Sequence, residues 1–369
     1  MDSTHRPSVF RHCLPIAGML LCLLLLSGEG LAASVAGLYE TEVPVAGSEA
    51  AQRNQAIRDA LKQVLTKVTG SRKAGRLKGM DKVLKQAPSY VLQYSYRMDA
   101  AADGEESQRY LRVSFDPGAV NRLLQQQGLP VWSENRPVIL IWLGSERKGR
   151  RSLLQPDPDS SVVKGMQQVA LERGLPILFP LMDLEDQARL QVADLWGDFE
   201  SNIRAASERY GPDRVLTGRL VQVDKRLWRG QWRLYQPQTV VSFQNQGATR
   251  DQLVVDGMQQ AADRLARLFA PVLESGVGEQ STVRLRVIGV VSLEQFAAVQ
   301  RLLDGQRSME RWSIIAVEPD AVTIDLHGRI SVQALQQTLA VGGVLEPDPD
   351  GIMRSEEEVS LVDLYFRMR

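Results

Sequence analysis

The stretch RPVILIWL, residues 136–143, constrains the fold more than any other part of the chain. Its apolar run leaves a strand no wet face, so it must be buried on both sides. That calls for layers, with helices above and below a sheet. The surroundings agree. A helical pattern over 161–173 and a second apolar run, LPILFP at 175–180, follow it. Strand, helix and strand in that order predict a parallel pair. One longer helix is expected from Trp196, Phe199, Ile203, Ala206 and Tyr210, ended by Gly211. Three runs, RVLTGRLVQV, RLWRGQWRLY and TVVSFQN, read as antiparallel strands. Thr249 with Gln252 forms a capping box for a last helix carrying Val254, Met258, Ala261, Leu265 and Leu268.

The flanking segments have another rhythm. Before this domain, LYETEVPV alternates as a strand should, and Ser48 can cap the next helix. Ile57, Leu61, Val64, Leu65 and Val68 form one apolar stripe, and Gly70 stands where the helix should stop. SYVLQYSYRM and RYLRVSFD read as paired strands, and Asp116-Pro117 opens a short helix with Val120, Leu123 and Leu124. After the domain come VRLRVIGVV, a Ser292/Gln295 capping box, the strands WSIIAVEP and AVTIDLHG, a helix opened by Ser331, and SLVDLYFRM. This strand-helix-strand-strand-helix-strand order is ferredoxin-like. The expected architecture is multidomain, α/β and α+β, with mixed sheets. Its parts are an α+β domain at 33–132, an α/β domain at 133–276 and a ferredoxin-like βαββαβ domain at 277–369.

Residues 1–32 read as a secretory signal peptide. Arg6 and Arg11 precede an apolar run from Ile16 to Leu26, and small residues follow, with cleavage placed after Ala32. The run is shorter than the about 20 residues a spanning helix needs. Leucines on both sides of Cys22 argue against lipidation. Cleavage removes both cysteines and two of the three histidines, leaving His327. A chain so depleted cannot form a disulfide or a Cys/His zinc site. Lys plus Arg and Asp plus Glu balance at 44 each, which argues against a nucleic-acid partner. The expected location is the periplasm, with no integral membrane segment after cleavage and no cofactor.

Several blocks carry a family resemblance. YETEVPVAGSEAAQRNQAIRDALKQVLTKVTG, FDPGAVNRLLQQQGLPVW, RPVILIWL, LPILFPLMDLED and ASERYGPDRVLTGRL occur in that order. Together they resemble the proteobacterial domain of unknown function 2066 family, whose members are exported proteins without an assigned function. The resemblance implies a location and supplies no catalytic residues. ASERYGPDRVLTGRL is also similar to a helix-then-strand segment of envelope proteins such as the Tol translocation beta-propeller and the outer-membrane activators of peptidoglycan synthases. In those proteins a small α/β domain serves protein contact.

Candidate chemistry is sparse. Ser161-Val-Val-Lys164 spells the S-x-x-K of penicillin-binding proteins. No K-T-G follows, and a helix cap with a solvated lysine is the simpler reading. Glu346, Asp348, Asp350 and Glu357 fall at calcium-loop spacing around Gly351, with prolines between them. An acidic loop is the simpler reading there. A Ser-His-Asp hydrolase would have to use His327, and no G-x-S-x-G occurs. A pair of carboxylates could cleave a glycan without His or Cys, but no spacing favours one pair. Candidate partner surfaces are two basic loops, with Arg72, Lys73, Arg76 and Lys78, and with Arg147, Lys148, Arg150 and Arg151. A third is the strand face with Arg229, Arg233 and Tyr235. The preferred reading is a non-enzymatic factor that binds another envelope protein. The alternative is a carboxylate-dependent hydrolase of peptidoglycan or glycan.

Overall fold

The structure is a computed structural model that describes residues 35–77, 79–98, 108–270, 281–306, 309–328, 331–349 and 362–369. Residues 1–34, which hold the expected signal peptide, lie outside the described residues.

The first sheet takes β1 (Glu40–Pro44), β2 (Val91–Met98) and β3 (Arg109–Phe115) in the order β1-β3-β2. Helix α1 (Ala50–Thr69) lays its stripe on it, and Ile57, Leu61, Val64, Leu65 and Val68 are buried. Burying each such aliphatic side chain contributes about 1.5–3 kcal/mol. The helix starts one residue later than the sequence suggests. Glu49 occupies the N-cap with no side-chain bond, so Ser48 does not cap it. Gly70 ends it at φ +66°, and a Cβ there would come within 2.6 Å of Trp132. Helices α2 (Met80–Lys85) and α3 (Pro117–Gln126) complete this part, with Asp116 accepting from the Ala119 amide as expected.

The central sheet is built on β4 (Ile139–Arg147), which pairs in parallel with β7 (Arg214–Asp224) along its length. On its other side β4 meets β6 (Ile177–Leu178) in parallel and β5 (Arg150–Leu153) antiparallel. Strands β8 (Leu227–Tyr235) and β9 (Val240–Gly247) continue the sheet beyond β7. Helices α4 (Ser161–Arg173) and α8 (Arg250–Phe269) cover one face. Three short helices, α5 (Leu184–Arg189), α6 (Val192–Gly197) and α7 (Glu200–Ser207), cover the other. The expectation that β4 is buried on both sides is met: residues 139–145 are all buried. Gly257 of α8 lets this helix lie against the sheet, because a Cβ there would come within 2.2 Å of Trp232.

Two readings of this region need correcting. The single helix expected across 196–210 is broken. Asp198 turns the chain left-handed at φ +56°, so α6 and α7 are separate and Phe199 is exposed. LPILFP yields only the two-residue β6, because β5 occupies the rest of that edge of β4.

The third sheet contains β10 (Ser281–Ile288), β11 (Met309–Val317), β12 (Ala321–Gly328), β13 (Leu345–Pro347) and β14 (Leu364–Met368). Its order is β11-β12-β10-β14-β13. Helices α9 (Leu293–Asp304) and α10 (Val332–Leu339) share its core. The arrangement is ferredoxin-like with one strand more than the sequence suggests. The chain after α10 forms β13 at the far edge, and β14 lies between it and β10, parallel to β10.

Candidate interaction surfaces

Arg147 to Arg151 was expected to be a basic loop, and the chain there forms a hairpin instead. β4 runs to Arg147 and β5 starts at Arg150, with Lys148 and Gly149 turning at φ +52° and +74°. Two successive positive φ values suit the twist of a two-residue hairpin. Arg151 pairs with Glu146 at 2.8 Å and lies over the Trp196 ring, while Arg147 donates to Gln222. Lys148 and Arg150 remain as exposed cations at the tip.

The other basic loop divides. Arg72 reaches across to α8 and pairs with Asp263 at 2.7 Å. Lys73 and Arg76 are exposed, and Lys78 lies outside the described residues. Arg72 therefore acts as a tether between the first and central sheets.

The third surface does not survive. Tyr235 is 1% exposed, packed with Trp142, Val215 and Ile203 beneath α7. Arg233 is half-buried and pairs with Asp198, which also holds Arg219. Only Arg229 is exposed. A sheet face taken as solvated is here the second covered face of an α/β layer.

The candidate catalytic residues are occupied in ordinary ways. Ser160 caps α4 by accepting from the Val163 amide, and Lys164 pairs with Asp159. His327 faces Thr282 on the neighbouring strand, Nδ1 to Oγ1 at 3.0 Å. Glu346 and Asp348 pair with Arg369 and Arg367, and Asp350 and Glu357 lie outside the described residues. Among the described residues no group of three or more His, Cys, Asp or Glu is placed to hold a metal.

Carboxylates with shifted pKa values move in one direction. Hydrogen bonds from Arg151, Arg286 and Arg284 hold Glu146, Glu318 and Asp325 below the usual range. The Arg209 fork holds Asp183 at about 2. For Asp59, burial pushes upward but hydrogen bonds from Gln55 and Lys62 outweigh it. A general acid needs the reverse, a carboxyl kept protonated near neutrality. One cleft between α4 and β4 is lined by Ile141, Leu143, Val163 and Phe179, with Ser160 and Arg250 as polar members, and no carboxylate lines it.

The residues that most deserve explanation are buried cations that no sequence pattern revealed. Arg136 is fully buried and stacks on Trp132 at 4.4 Å. It donates to the carbonyls of Lys67 at the end of α1 and of Arg173 and Gly174 at the end of α4. Its pKa is lowered to about 9 by desolvation. Arg173 donates to the Gly70 carbonyl and to Gln259 and Asp263 of α8. Helix C-termini leave carbonyls without partners, and cations satisfy them. Arg214 reaches Gln337 on α10, and Asp213 accepts from the Gly342 amide. These groups join the three sheets into the single compact unit of residues 32–369.

Exposed apolar side chains gather on two edge strands. On β2 these are Leu92, Tyr94, Tyr96 and Met98, and on β11 they are Ile314, Ile315 and Val317. Both stretches were legible as strands, but the sequence did not show that the helices leave these side chains exposed. Among the described residues no helix is long and apolar enough to cross a membrane.

Comparison with known proteins adds little beyond this. Residues 32–133, the first sheet with its helices, match the family model described as a domain of unknown function, DUF8605. No curated protein matches. Among solved structures the chain is similar to the LpoB C-terminal domain from Salmonella enterica, at 16% identity and a TM-score of 0.23, covering 35% of this chain and 93% of that one. A likeness at that score carries no argument about fold or function.

Proposed function

We propose that this chain is an exported envelope protein that works by binding another protein, and that the β11 edge is its contact. One observation carries the reading. β11 ends the third sheet, and Val317 is 73% exposed. Val291 and Leu293 are exposed at the same end of the sheet, where the amides of Gly289 and Val290 bond to the Asp320 carbonyl. An unpaired strand edge beside apolar side chains accepts a partner strand by sheet extension. Such clusters mark interaction sites more often than they occur by chance.

Export rests on the basic and apolar pattern of residues 6–32 and on the resemblance to the domain of unknown function 2066 family. Both are statements about sequence. The rival hydrolase reading is not favoured, because the shifted carboxylates Glu146, Asp183, Glu318 and Asp325 are held ionised by arginine partners rather than kept protonated.

The test is a photo-crosslinking residue placed at Val317 in cells, followed by mass spectrometry of the adducts. A defined adduct with one envelope protein at Val317, and none with the probe at exposed Arg229, is the expected result. Adducts that do not differ between the two positions, or none at all, would sink the proposal. N-terminal sequencing of the purified chain checks export separately, and an intact Met1 would exclude the cleaved leader.

A further inference from the structure

The second bare edge, β2, has a property that β11 lacks. β2 ends the first sheet, and no strand among the described residues pairs with its outer side. Its register with β3 sets Tyr94 opposite Val113 and Tyr96 opposite Leu111. Val113 and Leu111 are fully buried beneath α1. Paired residues share a face, so both tyrosines stand on the core side of the sheet, at the margin of the helix. They are 47% and 38% exposed, flanked by Leu92 at 65% and Met98 at 56%. The rings meet edge to face at 6.1 Å, and Arg53 of α1 lies over Tyr94.

The order of residues along β2 names the occupant. Leu92-Gln-Tyr-Ser-Tyr-Arg-Met98 reads alike in both directions about Ser95. Antiparallel pairing of two copies about Ser95 sets Leu92 against Met98, Tyr94 against Tyr96 and Gln93 against Arg97. From Gln93 to Met98 the faces alternate, so tyrosine meets tyrosine on one face and glutamine meets arginine on the other, while a bulge between Val91 and Gln93 puts Leu92 outside this strict alternation. A two-fold interface requires such self-complementarity. The charge on Arg97 is also answered within each copy, since Arg97 pairs with Glu42 and lies over Tyr110. A one-residue slip would set tyrosines against polar neighbours and reverse the faces. Centring the pair on Arg97 instead would bring two arginines together. The Ser95 register satisfies both constraints and lies near the middle of the strand.

We propose that β2 is a self-association edge, at which two copies of this chain pair antiparallel about Ser95. The result is a six-stranded sheet of order β1-β3-β2-β2-β3-β1. The two α1 helices then lie on the same face, and the tyrosines fill the trough between them. This surface is separate from β11, so the two proposals stand or fall independently.

The experiment uses residues 32–369, a single compact unit without cysteine once the leader is absent. Sedimentation velocity of the unaltered chain is followed over concentrations reaching about 1 mM. A concentration-dependent dimer is expected. Ser95→Cys is then oxidised under mild conditions. Directly opposed strand residues lie about 4.5–5.5 Å apart between Cα atoms, within disulfide reach. Gln93→Cys is the control, since in the proposed register its two copies are about 13 Å apart. Ser95→Cys should give a covalent dimer and Gln93→Cys should not. Tyr96→Glu should abolish the dimer without shifting the melting temperature. A chain that stays monomeric throughout, or equal crosslinking at positions 93 and 95, overturns the proposal.

Discussion

The edges of the central sheet and the edges of its two neighbours are finished differently. The central sheet ends on one side at β5, with exposed Arg150 and Arg151, and at the two-residue β6, with exposed Leu178, and on the other at β9, where Ser242, Gln244 and Gln246 are exposed. Charge, polarity and the shortness of β6 blunt these edges, the usual protection against unwanted pairing. Each outer sheet has one edge of that kind, at β1 with Glu40 and Glu42 and at β13 with Glu346, and one edge, at β2 and β11, that ends in tyrosine, leucine, isoleucine and valine. Stability does not explain the contrast, because a charged edge would cost the fold little. In the proposed reading, the bare edges are the parts of the molecule that meet partners.

The contrast breaks if an edge residue proves as important to folding as a core residue. Leu61→Asp should have the largest effect. It places a charge at a fully buried position under the first sheet, and such a charge without a partner costs several kcal/mol. Loss of the cooperative thermal transition in circular dichroism is the expected result. Gly257→Ala comes next. The added methyl meets the Trp232 indole inside the central core, and overpacking of this kind costs about 1–3 kcal/mol. Urea unfolding should show a lower midpoint with an unchanged slope. Leu92→Ser on the bare β2 edge should shift stability by less than about 0.5 kcal/mol. If Leu92→Ser matched Gly257→Ala, β2 would be a structural element and its role as an offered edge would fail.

These cases also show what the sequence could convey. The stripe of α1, the doubly buried β4 and the caps at Asp116, Thr249 and Ser292 were legible because each depends on neighbours in sequence. The broken helix at Asp198 was not, because the spacing of Trp196, Ile203 and Ala206 suits one helix or two equally well. The burial of Tyr235 depends on α7 crossing the far face, which no local pattern encodes. Arg136 was least legible of all. An arginine before an apolar strand reads as a solvated boundary, and its burial follows from two helix ends converging on it from elsewhere in the chain. The same limit applies to β2. It could be read as a strand from sequence, whereas its exposure required knowing where α1 ends.

The smallest predicted effect concerns acid stability, and it tests the third sheet without touching its edge. Arg284 grips Asp325 through two bonds, Nε to Oδ1 at 2.7 Å and a terminal nitrogen to Oδ2 at 2.9 Å. That hydrogen bonding holds the Asp325 carboxyl below its ordinary range. A carboxylate with a depressed folded pKa contributes stability that is fully present above the unfolded value. The contribution is lost as pH falls through the folded value, because the unfolded chain takes up its proton first. Stability should therefore decline below about pH 5, with Glu318 adding to the slope and Asp183, held at about 2, extending the decline to about pH 2. Asp325→Asn cannot take up that proton, so its urea midpoint should fall less steeply over the same range, from a lower starting value. Parallel slopes for the two chains would mean that the Arg284 pair is absent in solution. The bare edge of β11 would then rest on a β10–β12 ladder held by backbone bonds and apolar packing alone.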